Sequence, residues 1–88
     1  MPQAVVDPEE LRQFARNLKK FTGDLRQKLT IVNNHLTALG ATWRDQEHRK
    51  FVGRFEDHTR QLAKFLDEND QHVRYLQKKA EQVDEYLA

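Results

Sequence analysis

Apolar residues recur at intervals of three or four along the first half of the chain. Asp7 is a candidate N-cap, Pro8 suits the first helical position and Glu10 stands three residues after the cap, an arrangement typical of a helix start. The repeat places the apolar residues on one side of an amphipathic helix. It predicts a first helix over about 8–39, with this stripe: Leu11, Phe14, Leu18, Phe21, Leu25, Leu29, Val32, Leu36 and Leu39.

A second stripe follows a short break. Gly40 is expected to form a left-handed C-terminal cap, and Thr42 is expected to cap the second helix, with Asp45 in its first turn. From Phe51 to Leu87 the stripe keeps the 3.6-residue period of a straight helix, which predicts a turn at 40–42 and a helix over about 43–87. Its members are Trp43, Phe51, Phe55, His58, Leu62, Leu66, Asn69, Val73, Leu76, Ala80, Val83 and Leu87.

Two helices joined by a short turn pack as antiparallel neighbours. The sequence therefore predicts an all-α fold, a single helical hairpin spanning residues 1–88. Counting outward from the turn pairs Leu25 with His58 and Leu11 with Val73. In this register the first helix ends before it reaches Ala80, Val83 and Leu87, which would leave that end of the second helix uncovered.

The composition predicts that the hairpin has a partner. Of 88 residues, 33% are charged and only 38% are apolar, so a lone chain would have a thin core. We expect dimerisation into a four-helix bundle, with a second copy or with a similar hairpin. The expected core and dimer interface contains Phe14, Leu18, Phe21, Leu25, Leu29, Val32, Phe55, Leu62, Phe65 and Leu66.

Several function classes are disfavoured. The chain has no cysteine, and its net charge is +1 with acidic and basic residues mixed, unlike the one-signed patch of a nucleic-acid-binding protein. No apolar run is long enough for stable membrane insertion, and no cleavable leader is recognised. Without a phosphate loop or a serine, neither an enzyme nor a cofactor is predicted.

The histidines and Asn69 admit more than one interpretation. No two of His35, His48, His58 and His72 have the spacing of a metal site on one helix, so no metal is predicted. A metal-binding bundle remains an alternative that added zinc or iron would test through the melting temperature. His58 and Asn69 interrupt the apolar stripe, and they either set register and partner choice or are simply exposed.

The centre of the chain resembles a known family. Gly40, Thr42, Trp43, Asp45 and the aromatic Phe51 eight residues after the tryptophan are similar to the Trp-x-Gly (Esx, early-secreted-antigen-like) family of small type VII secretion proteins. The resemblance implies a helical hairpin with the tryptophan at the turn. Here Asp45 replaces the glycine of the motif.

The resemblance also implies a role in export. The family's Tyr-x-x-x-Asp/Glu signal is missing, because Tyr75 is followed by Lys79, so a partner chain would have to supply it. The resemblance implies a protein that is cytoplasmic before export and secreted without a cleaved leader. A secretion ATPase is an expected partner, with this C-terminal tail as the candidate recognition segment: Val83, Asp84, Glu85, Tyr86 and Leu87.

The competing hypothesis is an intracellular scaffold or adaptor hairpin that is never exported. Trp43 fits either role, as a large ring that closes the end of the hairpin core and as a contact for another protein.

Overall fold

The structure is a computed structural model that describes residues 6–87. Two helices, α1 (Pro8–Leu39) and α2 (Gln46–Leu87), pack against each other as an antiparallel hairpin. The molecule is about 65 Å long, as expected from the 42 residues of α2 at about 1.5 Å of rise each. The predicted all-α helical hairpin is confirmed, and the described residues include no strand.

Helix α1 begins where the sequence predicts. The Asp7 side chain accepts a hydrogen bond of 2.9 Å from the Glu9 backbone N–H, and Pro8 occupies the first helical position. The cap satisfies one of the backbone donors that the first turn leaves unpaired.

The loop between the helices differs from the predicted turn. Gly40 has φ −62° and ψ −13°, so the expected left-handed cap is wrong, and α1 ends instead in a series of short-range turns. Thr42 does not cap α2, because its hydroxyl donates back to the Leu39 carbonyl. Asp45 is the cap: its carboxylate accepts the His48 backbone N–H at 2.9 Å. Helix α2 therefore starts at Gln46, three residues later than expected.

The Asp45 cap gives a direct test. Asp45→Ala is expected to lower the free energy of unfolding by about 1 kcal/mol, because an unpaired N–H is left at the first turn of α2. Asp45→Gly should lower the free energy of unfolding by only about a few tenths of 1 kcal/mol, because water can reach the freed donors. Asp45→Asn keeps the acceptor and should unfold at the wild-type urea concentration. Equal losses for Ala and Asn would contradict the capping role.

The seam between the helices follows a seven-residue repeat. On α2 its members are buried or half-buried and alternate steps of three and four: Val52, Phe55, Thr59, Leu62, Leu66, Asn69, Val73, Leu76, Ala80 and Val83. The period is thus 3.5, that of a coiled coil, and not the 3.6 read from the sequence. His58 is exposed and Thr59 takes its place, so the prediction of His58 in the seam is wrong.

Small side chains occupy the centre of the seam on α1. Ala15 and Thr22 are buried there, whereas Phe14 and Phe21, predicted to face α2, are exposed. Ala15 and Ala80 have no exposed surface, and such small residues let two helices approach closely. The rings of Phe14 and Phe21 lie beside the seam and are about half-exposed.

The register differs by more than one helical turn from the predicted one. Arg26 contacts Asp67 and Asp70, whereas the sequence predicts its neighbour Leu25 to lie opposite His58. Arg12 pairs with Asp84, so the first turns of α1 lie beside the last turns of α2. The prediction of an uncovered end is therefore wrong for Ala80, which is fully buried, and for Val83, which is half-buried. Leu87, the third residue of that set, is 66% exposed. The later start of α2 at Gln46 contributes to this difference, because it moves α2 along the chain by three residues.

Asn69 is part of the seam. It is 5% exposed, which rules out simple exposure as the reason for a polar residue at this position. Its Nδ2 atom and the Thr22 hydroxyl are buried without a hydrogen-bond partner in the described chain. An unpaired buried donor lowers stability by about 1–3 kcal/mol. Thr22 and Asn69 therefore lower the stability of the lone hairpin.

The Arg26–Asp70 pair makes a pH-dependent contribution to stability. The hydrogen bond from Arg26, 2.8 Å long, lowers the pKa of Asp70 below its ordinary value, against a smaller opposing effect of desolvation. A carboxylate with a depressed pKa stabilises the fold above its unfolded value, about 3.9, and this stabilisation disappears as the pH falls through the folded value.

We therefore expect Asp70→Asn to lower the melting temperature at about pH 7 and to match the wild type at about pH 2. The decrease should be small because the pair is solvent-exposed. Glu68→Gln is the control, since Glu68 has no ion pair in the described part of the chain. A constant difference between wild type and Asp70→Asn at both pH values would contradict this assignment.

Candidate interaction surface

The positions of residues relative to the seam define two sides of the hairpin. The central positions of the seam are spaced by seven: Ala15, Thr22, Leu29 and Leu36 on α1, and Val52, Thr59, Leu66, Val73 and Ala80 on α2. One residue step turns a side chain by about 100° around its helix. Because the two helices run in opposite directions, the residue after each central position points to the same side of the hairpin on both helices. The residue before each central position points to the opposite side.

The residues that follow the central positions form a charged face. Arg16 and Glu81 line one groove there, and Thr37 and Arg60 line another, which confirms that such residues of α1 and α2 share a side. The interhelical ion pairs lie on this face as well. Its charged members include Arg12, Arg16, Arg26, Glu56, Arg60, Asp67, Asp70, Arg74, Glu81 and Asp84.

The residues that precede the central positions form the opposite side, which we call the aromatic face. Phe14, Phe21, Phe51 and Phe65 are each about half-exposed, and Val32 and Leu39 extend the surface towards the loop. Exposed aromatic side chains aligned along one side of a small chain make this side a candidate interaction surface. The aromatic face comprises Phe14, Phe21, Lys28, Val32, His35, Leu39, Phe51, His58, Phe65, His72, Lys79 and Tyr86.

The residues predicted for core and dimer interface divide between these regions. Leu66 is buried in the seam, and five others are half-buried beside it: Leu18, Leu25, Leu29, Phe55 and Leu62. The remaining four are exposed on the aromatic face: Phe14, Phe21, Val32 and Phe65. As core residues of the lone hairpin these four are wrong; as residues of a dimer interface they stay a prediction.

Trp43 connects the loop to the aromatic face. Its half-buried ring stands edge-on to His48, with centroids 4.8 Å apart, and is tilted against Phe51 at 5.9 Å. Phe51 in turn stacks on Phe55 at 6.0 Å. The spacing of eight residues between Trp43 and Phe51 thus brings the two rings together at the end of the hairpin.

The C-terminal tail is helical to Leu87. Within it Val83 is half-buried and Asp84 is held by Arg12. Glu85, Tyr86 and Leu87 are exposed, with Tyr86 88% accessible. The side chains available to another protein are therefore the last three of the five predicted.

The histidines are not gathered into a metal site. Among residues 6–87 no three His, Asp or Glu side chains are grouped so that they could hold a metal ion. His35, His58 and His72 are exposed along the hairpin, and His48 lies by the loop.

Neither α1 nor α2 has an apolar stretch long enough to cross a bilayer.

Comparison with known proteins gives one finding. The sequence model of the WXG100 family, described as proteins of 100 residues with WXG, matches residues 3–86. No curated protein and no solved structure matches the chain. Proteins of this family are small, helical and non-enzymatic, and type VII systems secrete them. The match covers nearly the whole hairpin, and this chain therefore belongs to the WXG100 family.

Proposed function

We propose that this protein is a substrate or a carrier of a type VII secretion system and acts without catalysis. In this proposal it pairs through its aromatic face with another helical hairpin, and the two form a four-helix bundle. The unpartnered aromatic face is the observation that supports pairing. The part proposed to pair runs from Phe14 to Leu39 on α1 and from Phe51 to Lys79 on α2, which leaves Tyr86 beyond it.

The hairpin buries little apolar surface by itself. Among the described residues, the apolar side chains that reach full burial are Ala15, Leu66, Val73 and Ala80. Phe14, Phe21 and Phe65 are 57%, 50% and 47% exposed, so covering each would contribute about 1 kcal/mol, roughly half of the value for a fully buried side chain. Several such side chains together offset part of the entropy lost on association.

The shape of the face favours a rod-like partner. Because both helices contribute to it along their whole length, a partner that covers it has to be about as long as the hairpin. Two hairpins joined through one flat face each make a four-helix bundle with a continuous core.

The exposed tail supports recognition by the export machine. Tyr86 and Leu87 protrude at the end of α2 beside the Arg12–Asp84 pair, which leaves them free to contact a secretion ATPase. Tyr75 precedes Lys79, so the Tyr-x-x-x-Asp/Glu signal would come from the partner hairpin. The protein would be cytoplasmic before export and would leave the cell without a cleaved leader.

Export tests this proposal. In a host with a working type VII system, the chain should accumulate in the medium, and the Tyr86→Ala, Leu87→Ala double variant should remain in the cells. Both side chains are exposed, so the variant should keep its helix content by circular dichroism. Tyr75→Ala, which alters an exposed tyrosine away from the tail, is the matched control and should be exported.

Retention of the intact chain in that host, together with its partner, would overturn the proposal and favour an intracellular scaffold or adaptor. Export of the double variant at the wild-type level would remove the tail from the recognition step.

A further inference from the structure

The last turn of α2 is poorly suited to a helix end. Asp84 and Glu85 lie within it, Glu81 lies just before it, and no basic residue follows Lys79. Carboxylates near the C-terminus of a helix interact unfavourably with the negative end of the helix dipole. The last four carbonyl groups of a helix also lack partners within the helix. The local sequence therefore favours fraying of this segment, yet α2 is helical to Leu87.

The first turns of α1 supply the cation that the end of α2 lacks. The Arg12 guanidinium donates a hydrogen bond to the Asp84 carboxylate, and it lines one groove together with Glu81. The hydrogen bond to Asp84 is the main reason why the pKa of Arg12 lies above its ordinary value, and the charge of Glu81 acts in the same direction. A residue of α1 thus offsets carboxylates that α2 itself leaves uncompensated.

Apolar packing against α1 weakens towards the end of α2. Ala80 is fully buried and Val83 half-buried, whereas Tyr86 and Leu87 are exposed. Side chains that stay in water contribute little to holding a helix end in place. The ion pair of Arg12 lies between these two groups, one residue beyond Val83, so it acts on the turn that carries the exposed side chains.

We infer that Arg12 is a positioning residue for the C-terminal tail: through Asp84 it keeps the last turn of α2 helical and so fixes the direction in which the exposed side chains of that turn are presented. This role rests on the proposed function, in which a secretion ATPase contacts Tyr86 and Leu87. The recognised surface is then an end of the hairpin built from both helices, and not a free peptide. Because Tyr86 and Leu87 are exposed while the ion pair is made, recognition does not require the pair to open.

Reversal of the Arg12 charge tests this role in the full-length chain. In Arg12→Glu, repulsion from Asp84 and Glu81 replaces attraction, so the helical population of residues 84–87, measured from NMR Cα chemical shifts, should fall about twofold. The centres of both helices should keep their wild-type shifts. In a host with a working type VII system, export should also fall about twofold, because only the ordered fraction of the tail is competent for recognition.

Exchange of the two charges separates the ion pair from other effects of the substitution. The Arg12→Glu, Asp84→Arg double variant should regain the wild-type helical population and the wild-type level of export. Arg12→Gln removes the charge without adding repulsion, so it should decrease both to a smaller extent, and it replaces Arg12→Glu if that variant does not fold. Lys20→Glu is the matched control and should change neither, since Lys20 is exposed on α1 and belongs to none of the ion pairs within residues 6–87.

An unchanged helical population in Arg12→Glu would overturn the inference, and so would a frayed tail that is exported at the wild-type level. Increased export of the frayed variant would identify the ion pair as a latch on the tail and would overturn it as well. An equal loss of export in Lys20→Glu would assign the effect to net charge. Retention of the wild type itself would overturn the proposed function and the role of Arg12 in recognition with it, whereas the chemical shifts would still decide whether Arg12 orders the tail.

Discussion

Leu66→Ala is expected to lower the free energy of unfolding by about 3 kcal/mol, the middle of the range for a fully buried leucine. Leu66 is 1% exposed and is the largest apolar side chain that the hairpin buries completely. Removing three carbons there leaves a cavity between helices that have few other apolar contacts at full burial. Since small domains unfold with only about 5–15 kcal/mol, this substitution should give the largest loss of any single truncation in the chain. Urea denaturation followed by far-UV circular dichroism measures it.

Leu87→Ala is the matched control for that experiment. Leu87 is 66% exposed at the end of α2, so the same truncation removes little buried surface. We expect a loss below about 1 kcal/mol. Comparable losses for the two variants would mean that the seam is not centred on Leu66.

Phe21→Ser combined with Phe65→Ser is expected to weaken pairing about thirtyfold while the hairpin keeps its helix content. The two rings are half-exposed on the aromatic face, and covering each contributes about 1 kcal/mol on association. Their combined loss of about 2 kcal/mol corresponds to about thirtyfold in Kd. Sedimentation equilibrium of the wild type and of the variant at high concentration gives the two constants.

Gln27→Ser combined with Gln71→Ser is the control for the aromatic face. Both residues are exposed and lie on the outer sides of the helices, away from the seam and from both faces. Pairing should be unchanged in this variant. If it weakened pairing as strongly as the phenylalanine variant does, the association would be nonspecific and not localised to the aromatic face.

The residues of the aromatic face and those of the seam are offset by one position in the sequence. The stripe read as a core contains Phe14 and Phe21, whereas the structure places Ala15 and Thr22 between the helices. Both series repeat every seven residues, and apolarity alone favours the phenylalanines. The apolar pattern does not show how each helix is rotated about its own axis, and that rotation decides which of the two series faces the other helix.

The sequence alone determined the local features of this protein. The start of α1 follows from Asp7 and Pro8, its end lies at Leu39 beside Gly40, and the helical repeats extend to Leu87. These features depend on hydrogen bonds and side-chain spacing within a few residues, so the sequence displays them directly. The hairpin follows too, because two amphipathic helices with a short connection bury their apolar sides by packing against each other.

Only the tertiary structure decided how the two helices are aligned and which side remains uncovered. Alignment depends on where α2 starts, and Asp45, not Thr42, fixes that start. It depends also on contacts between residues far apart in the chain, such as Arg12 with Asp84 and Arg26 with Asp70. Because a step of one residue turns a side chain by about 100°, this alignment determines whether a phenylalanine lies inside the hairpin or on its surface.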